Sequence, residues 1–353
     1  MIETNVIYLS DNLTKLREMP DNSVDTIITD SPYGLGKPPK MDEFVKMLIA
    51  WTTVGYWEIK GKGFMGKSWD AYVPQPILWK ECYRVLKPGG HLLSFFGTRT
   101  YHVGALAIAI AGFEIRDCIQ WIYGSGFPKS KASLKPANEP ICVARKPGGI
   151  GLLNIDDARI EVSANDPELD INRKSPRMGA TIGGNGKYGG GEVMTTSLNA
   201  NGRWPSNVIF DEECAILLDE QSGILVSGTK KKGTPYNHSS CTTMGASTGC
   251  VTKDYIGDVG GASRFFYVAK ASPSERNGSK HPTIKPVKLM RHLVKLYVPI
   301  GGICMDVHCG SGPTIEACIL EGRPYIGIDN DAESVTDTQK RIDKHSNKLF
   351  KHT

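Results

Sequence analysis

The chain has 353 residues, of which 40% are apolar and 22% charged. That length holds about two domains at roughly 150 residues each, and the composition excludes collagen-like and globally disordered chains. Forty-two basic and 37 acidic side chains leave a formal +5, enough to permit a nucleic-acid partner and too little to announce one.

Asn5–Leu9 reads as a strand, Leu13–Met19 as a short helix and Val24–Thr29 as a strand ending at Asp30. Ile77, Leu78, Cys82, Val85 and Leu86 recur at helical spacing, and Lys87-Pro88-Gly89-Gly90 stops that helix. His91–Phe96 is strand-like, Val103–Ala111 helical and Cys118–Tyr123 strand-like. Such alternation implies an α/β fold, with a parallel sheet carrying helices on both faces. From about Gly124 to Arg264 the pattern breaks, and Met178–Gly202 holds eight glycines. Within this insert Pro140–Arg145 and Asn207–Phe210 are strand-like islands; the rest reads either as surface loops or as a segment that orders on a large ligand. Alternation resumes with a helix over Val287–Tyr297, a strand over Gly302–Asp306, a helix over Thr314–Glu321, a strand over Tyr325–Asp329 and a helix over Ala332–Lys344. The expected organisation is therefore 1–123, an insert over 124–264, and 265–353.

No basic start precedes an apolar core in MIETNVIYLSDN, and the apolar run Ala105–Ala111 falls far short of the ~20 residues of a membrane helix. Nine cysteines without a C-x-x-C pair read as reduced thiols. A cytoplasmic chain without a membrane segment is expected.

Ile303-Cys304-Met305-Asp306 is an apolar strand ending in a carboxylate, and the segment Val307-His308-Cys309-Gly310-Ser311-Gly312-Pro313-Thr314 leads from it into a helix. Glycines at 310 and 312 allow a sharp turn and the close approach of a ligand. Pro313 suits the first helical position, where an N–H is not needed. The strand Tyr325–Ile328 ends in Asp329, a placement that doubly wound folds use to hold ribose hydroxyls. Neither the third glycine of G-x-G-x-x-G nor the G-K-[ST] of a P-loop is present. A nucleoside without a strong phosphate requirement, such as S-adenosylmethionine, fits the segment better; a plain strand–turn–helix junction is the alternative.

Val24–Thr29 carries Asp30-Ser31-Pro32-Tyr33-Gly34 at its C-terminal end, where open α/β sheets bind ligands. An exocyclic amino group on a base needs an acceptor for each N–H. The Asp30 carboxylate and the Ser31 backbone carbonyl supply two, and Tyr33 can stack on the base. Asp with Pro is equally an ordinary turn signature.

Three segments together carry a resemblance. Asp30-Ser31-Pro32-Tyr33 resembles the [D/N/S]-P-P-[Y/F/W] motif of amino-group DNA methyltransferases, and Asp306–Thr314 resembles that family's D-P-F-x-G-S-G-T cofactor loop. His281-Pro282-Thr283-Ile284-Lys285-Pro286 matches its H-P-T-x-K-P segment. The order of these segments is that of the permuted β class. Phe64–Asp70, Gly97–His102, Gly124–Ser130 and Arg203–Asn207 further resemble phage and prophage methylases.

The resemblance implies a doubly wound, Rossmann-like methyltransferase sheet in circularly permuted order, with the irregular insert as the target-recognition region. It implies methyl transfer from S-adenosyl-L-methionine to an amino group of a base flipped out of DNA, with Asp30, Ser31, Pro32 and Tyr33 catalytic. Asp11, Thr283, Lys285, Asp306, Gly310, Ser311, Gly312, Thr314 and Asp329 would bind the cofactor. Of these, Asp11 corresponds to the adenine contact, Gly310 to Gly312 to the methionine contact and Asp329 to the ribose contact, while Thr283 and Lys285 match a segment that closes over the cofactor. DNA is the implied partner, a homodimer is admitted by analogy, and relatives include both restriction-linked and orphan enzymes. Asp30 at the first motif position points to N6 of adenine, Ser there being commoner among N4-cytosine enzymes.

Two motifs depart from the family pattern. Ser31 replaces the first proline, which leaves the backbone carbonyl in place. In the cofactor loop Val307-His308 replaces Pro-Phe and Pro313 stands before Thr314; His308 is expected to be a packing replacement for Phe. N4-cytosine methylation, or a degenerate relative that binds DNA or cofactor without turnover, stand as alternatives. In the insert, Arg203 and Trp204 are candidates to read or wedge DNA, against the reading of Trp204 as a packing anchor. Lys129, Lys131 and the run Lys230-Lys231-Lys232 are candidate phosphate contacts, against a solvated face. His238, Cys241 and Cys250 lack structural-zinc spacing, so no metal is expected.

Overall fold

The computed structural model describes residues 2–58, 63, 70–126, 131, 134–149, 151–160, 202–226, 235–238, 247–250, 259–269 and 284–349. β1 (Val6–Leu9), α1 (Asn12–Glu18) and β2 (Val24–Thr29) open the chain, followed by α2 (Met41–Thr53), α3 (Pro76–Val85), β3 (Leu86–Phe95) and α4 (Tyr101–Ile110). β4 (Glu114–Ile122), β5 (Asn138–Arg145) and β6 (Val208–Asp211) come next, and β6 runs straight into α5 (Glu212–Ser222). Four short strands follow, β7 (Leu225–Val226), β8 (Pro235–His238), β9 (Ser247–Cys250) and β10 (Val259–Gly260), and then β11 (Tyr267–Ala269). The chain closes with α6 (Val287–Tyr297), β12 (Cys304–Asp306), α7 (Pro313–Leu320), β13 (Tyr325–Asp329) and α8 (Ala332–Leu349).

Local chemistry sets several of these boundaries. Asp11 caps α1, its Oδ1 accepting from the Thr14 amide at 2.8 Å. α3 starts with Pro76 at its first turn and ends where Leu86 turns extended. In α6 the buried side chains Leu289, Met290, Leu293, Val294, Leu296 and Tyr297 recur at three- and four-residue spacing, a broad apolar stripe.

Nine strands form one sheet in the order β1-β13-β12-β2-β3-β5-β4-β6-β11. β12 and β13, from the end of the chain, pair in parallel between β1 and β2, from its start. β2 also pairs in parallel with β3. The expected all-parallel sheet needs one correction: β5 is antiparallel to both β3 and β4. A strand that runs backwards enters the sheet at the edge where its parallel neighbours finish, so the first residues of β5 are delivered to the carboxyl edge. The two islands Pro140–Arg145 and Asn207–Phe210 are strands of this main sheet.

The central strands are buried on both faces, as a sheet covered by helices requires. Ile27 and Leu92 join Leu16, Met47, Trp51, Trp79, Val103, Met305 and Ile326 in one apolar cluster with α1 to α4. The alternate residues Ile28 and Leu93 are equally buried outside that cluster. α6, α7 and α8 pack on one another in sequence order. α2 was not legible as a helix, because its apolar residues face both ways: Met47 and Trp51 are buried while Met41, Val45 and Ile49 are exposed.

By internal contacts the chain divides into two compact units, Met1–Ala158 with Asn207–Cys214 and Val268–Thr353, and Arg159–Ser206 with Ala215–Tyr267. In the second unit β7 pairs with β10 and β8 with β9, both antiparallel. Asp219 fastens a short 3-10 turn, its carboxylate accepting from the Ser263 amide and hydroxyl at 2.7 Å each. Among the described residues no helix is long and apolar enough to cross a membrane.

His91 on β3 is buried with its ring edge-on to Tyr297 at 5.3 Å, and burial, with Arg145 and Arg116 nearby, pushes its pKa down to about 4. The folded state therefore binds fewer protons here than the unfolded state between that value and the ordinary ~6.5. Stability contributed by neutral His91 is present above pH 6.5 and lost as pH falls towards 4. His91→Phe removes this loss, so the melting temperature of the variant rises relative to the native chain on acidification through that window. A difference in melting temperature that stays constant from pH 7 to 4 contradicts the assignment.

Candidate active site

The carboxyl ends of β1, β2, β12 and β13 gather most of the residues singled out from the sequence. Asp30 follows β2, and its carboxylate Oδ2 accepts from Lys285 Nζ at 2.7 Å. Asp30 Oδ1 is buried and has no hydrogen-bond partner among the described residues. Lys285 also lies 3.3 Å from Glu139 Oε2, and Tyr33 Oη donates to that same oxygen at 2.6 Å. The ammonium sits 5.2 Å from the Tyr33 ring centre and 5.3 Å from that of Phe95. These four polar side chains form one connected chain: Tyr33, Glu139, Lys285, Asp30.

The electrostatics follow from burial. Burial raises the Asp30 pKa; Lys285 opposes that rise and Glu139 adds to it. Burial by itself would lower the Lys285 pKa, but the Asp30 and Glu139 carboxylates overcome this and hold it above the usual lysine range. Tyr33 is driven well above its ordinary value, first by burial and then by the same two carboxylates.

The Asp30–Tyr33 turn is held from several sides. Ser31 is buried; its Oγ donates to the Phe95 carbonyl at 2.9 Å and lies 2.9 Å from Ser94 Oγ. The serine thus pins the turn to the end of β3 by hydrogen bonds. Buried Asp70 accepts from the Gly34 and Leu35 amides at 2.8 and 3.3 Å. The Thr100 hydroxyl donates to the Tyr33 carbonyl at 2.5 Å.

The glycine loop after β12 is built around two carboxylates. Asp306 is buried, with Oδ2 accepting from the Thr314 hydroxyl at 2.5 Å and Oδ1 from the His308 amide at 3.1 Å. Burial raises its pKa to about 7. Asp306 thus organises the loop from within. Asp329, at the end of β13, accepts from the Gly310 amide at 2.8 Å and the Asp331 amide at 2.9 Å. Gly310 and Gly312 have φ of 52° and 79°. A Cβ at Gly310 would meet nothing within 4 Å, whereas one at Gly312 would lie 2.6 Å from Thr338 Cγ2. Gly310 therefore faces open space and Gly312 packs on α8. Ser311 and Thr314 are buried.

His308 does more than fill the space of a phenylalanine. Its Nδ1 lies 3.1 Å from Thr29 Oγ1 and its Nε2 lies 3.0 Å from Asn12 Nδ2. Burial pushes its pKa down to about 4, so the ring is neutral at pH 7. The Asn12 amide donates to Nε2, which leaves the proton on Nδ1 to be donated to Thr29. The ring thereby ties the glycine loop to the start of α1 and the end of β2.

Other sequence candidates are placed differently. Lys285 turns its ammonium to Asp30 and Glu139. Asp11 is exposed and engaged as the α1 cap, beside the end of β13, whose Asp329 carbonyl accepts from the Ser10 amide at 2.9 Å. Arg203, in the second unit, is buried, with its guanidinium 5.2 Å from the Phe265 ring. Trp204 is 45% exposed, with Arg159 lying 5.4 Å over its ring. Lys131 is exposed. Thr283, Lys129, Cys241 and the run Lys230-Lys231-Lys232 lie outside the described residues. The sequence reading missed Glu139; its only signal was a carboxylate one residue ahead of an apolar strand.

A model of the N6/N4 methyltransferase family, described as DNA methylase, matches residues 24–340. The chain belongs to this family of amino-group DNA methyltransferases. It is 23% identical to the DNA adenine methyltransferase YhdJ of Escherichia coli (strain K12) over 344 residues, 97% of this chain and 83% of that protein. Among solved structures, the M1.HpyAVI–SAM complex matches at TM-score 0.45 and 17% identity, over 95% of this chain and 98% of that one. The cytosine-N4-specific PvuII DNA methyltransferase matches at TM-score 0.49 and 14% identity, over 97% and 87%.

The two glycines separate by experiment. Gly312→Ala combines a left-handed backbone with a steric clash and is expected to cost about 2–4 kcal/mol. Gly310→Ala carries the backbone term alone, about 1–2 kcal/mol. Urea denaturation of the two variants checks the order, and an equal or reversed loss contradicts the packing of Gly312 on Thr338.

Proposed function

We propose that the chain is a site-specific DNA methyltransferase that transfers a methyl group from S-adenosyl-L-methionine to N6 of adenine. The observation that carries this reading is Oδ1 of Asp30 at the carboxyl end of β2, buried and without a hydrogen-bond donor among the described residues. A buried acceptor without a donor is costly in a finished fold, and an amino group on a flipped base supplies the missing N–H. The choice of adenine is supported by Asp at the first motif position and by similarity to YhdJ along 97% of the chain.

The residues at the strand ends fit the cofactor. Gly310 opens onto free space, and two backbone amides orient the Asp329 carboxylate at the end of β13, the position from which doubly wound folds hold ribose hydroxyls. When bound there, S-adenosyl-L-methionine supplies an electrophilic methyl group on a sulfonium. The chain's own residues then act by positioning and electrostatics. Asp30 Oδ1 and the Ser31 carbonyl each accept one N–H of the target amine, which turns its lone pair out of the ring system. Tyr33 stacks on the base, and the Asp30 carboxylate stabilises the positive charge that grows on nitrogen during direct displacement. The insert supplies recognition of the DNA sequence, with Trp204 and Lys131 as exposed candidates for contact, and the motif order is that of the permuted class.

Incubation of the purified chain with labelled S-adenosyl-L-methionine and unmethylated genomic DNA, followed by nucleoside mass spectrometry, tests the reading. N6-methyladenine is the expected product, and Asp30→Ala is expected to reduce it by at least about a hundredfold, the scale lost when a group acting on developing charge is removed. N4-methylcytosine in its place overturns the base assignment, and no product on diverse DNA overturns the activity.

A further inference from the structure

The mechanism above uses one oxygen of Asp30 and the face of Tyr33, and leaves open what holds those two groups in register. Both are tied to Glu139 and Lys285. Lys285 Nζ reaches Asp30 Oδ2 at 2.7 Å and Glu139 Oε2 at 3.3 Å, and Glu139 Oε2 accepts from Tyr33 Oη at 2.6 Å. The three segments come from different parts of the chain: the turn after β2, the start of antiparallel β5, and the residues just before α6. We propose that Glu139 and Lys285 are positioning residues that act as one unit on the flipped base. Lys285 holds Oδ2 of Asp30 so that Oδ1 faces the amino group, and Glu139 fixes both the Lys285 ammonium and the Tyr33 ring. The proposal rests on the methyl-transfer reading.

Two features of the site favour this over a purely stabilising ion pair. A buried ion pair contributes little net stability, and one built for stability would satisfy its acceptors, whereas Asp30 Oδ1 is left without a donor among the described residues. The charge count also suits the chemistry. Asp30 and Glu139 against Lys285 leave a net charge of −1 around an amine that gains positive charge as it attacks, so the pair of carboxylates serves the transition state more than the bound base.

The acid limb of turnover reports the arrangement. The titratable groups facing Asp30 are Tyr33 on its own turn, Lys285, Glu139 on β5 and Asp306 on β12, with His308 neutral beside Thr29. Asp30 must be ionised to act, and the Glu139 charge raises its pKa while Lys285 lowers it. Removing Glu139's charge therefore moves the acid limb of kcat to lower pH, and removing Lys285's charge moves it to higher pH.

The test measures kcat and the KM for DNA across pH for the full-length native chain, Glu139→Gln, Lys285→Met and Lys285→Arg, together with S-adenosyl-L-methionine affinity and melting temperature. Glu139→Gln is expected to lower kcat by about tenfold and Lys285→Met by about a hundredfold, losses typical of a misplaced reacting group. KM for DNA and cofactor affinity stay within about twofold, because both side chains turn their polar ends to Asp30, Tyr33 and each other and the loss falls on the transition state. The acid limbs move in opposite directions. Lys285→Arg restores part of the Lys285→Met loss, which separates loss of charge from loss of fold. An active native enzyme in which Glu139→Gln leaves kcat and its acid limb unchanged, or in which both limbs move the same way, overturns the positioning role alone. Loss of cofactor affinity in Lys285→Met assigns that lysine to the cofactor and overturns it too. A native chain that methylates no DNA overturns the methyl-transfer reading and this role with it.

Discussion

A lysine ammonium almost sealed from water must have anions beside it, and that requirement organises the centre of this molecule. The Lys285 side chain is 4% exposed, and its charge is tolerable only because Asp30 and Glu139 converge on it. Those two carboxylates in turn fix where the turn after β2 and the start of β5 must lie. Tyr33 is drawn into the same arrangement through Glu139. The polar chemistry is therefore also a geometric specification, met by segments that share no sequence neighbourhood.

The same economy governs the opposite side of the site. Asp306, Thr314 and the His308 amide satisfy one another inside the glycine loop, while the His308 ring ties that loop to Asn12 and Thr29. Interior strands contribute apolar side chains to both faces, so polar groups collect where the strands end and the backbone turns. Thr26 shows the rule from within: buried in β2, it spends its hydroxyl on the Tyr297 carbonyl at 2.8 Å. Ser31 and His308, which depart from the family's motifs, each gain hydrogen bonds that a proline and a phenylalanine could not make.

Much of this was legible in the sequence because it depends on local pattern. Strand ends at Asp30, Asp306 and Asp329 and the turn at Gly310 to Gly312 follow from periodicity and glycine placement. The amphipathic α6 declares itself through Leu289, Met290, Leu293 and Val294. What depends on pairing over long distances was not legible. Nothing local marks β5 as running against its neighbours, and so nothing marked Glu139 as a site residue. The H-P-T-x-K-P resemblance places Lys285 in a segment that closes over the cofactor, while its ion pair with Asp30, 255 positions away, leaves no local mark. α2 escaped notice because its apolar residues do not keep to one face.

The placement of β12 and β13 between β1 and β2 has a consequence for synthesis of the chain. The Asn5 amide donates to the Tyr325 carbonyl at 2.7 Å, a contact between residues 320 positions apart. β1 and β2 are made long before the strands that belong between them, and contacts of such span form late in folding. A nascent or truncated chain that stops between β5 and α6 has Asp30, Tyr33 and Glu139 but, short of residue 285, neither Lys285 nor the glycine loop. On the proposed assignment, it holds the residues that receive a base and lacks those that hold the methyl donor. On that assignment an interrupted chain marks no DNA, and competence arrives only with the last strands.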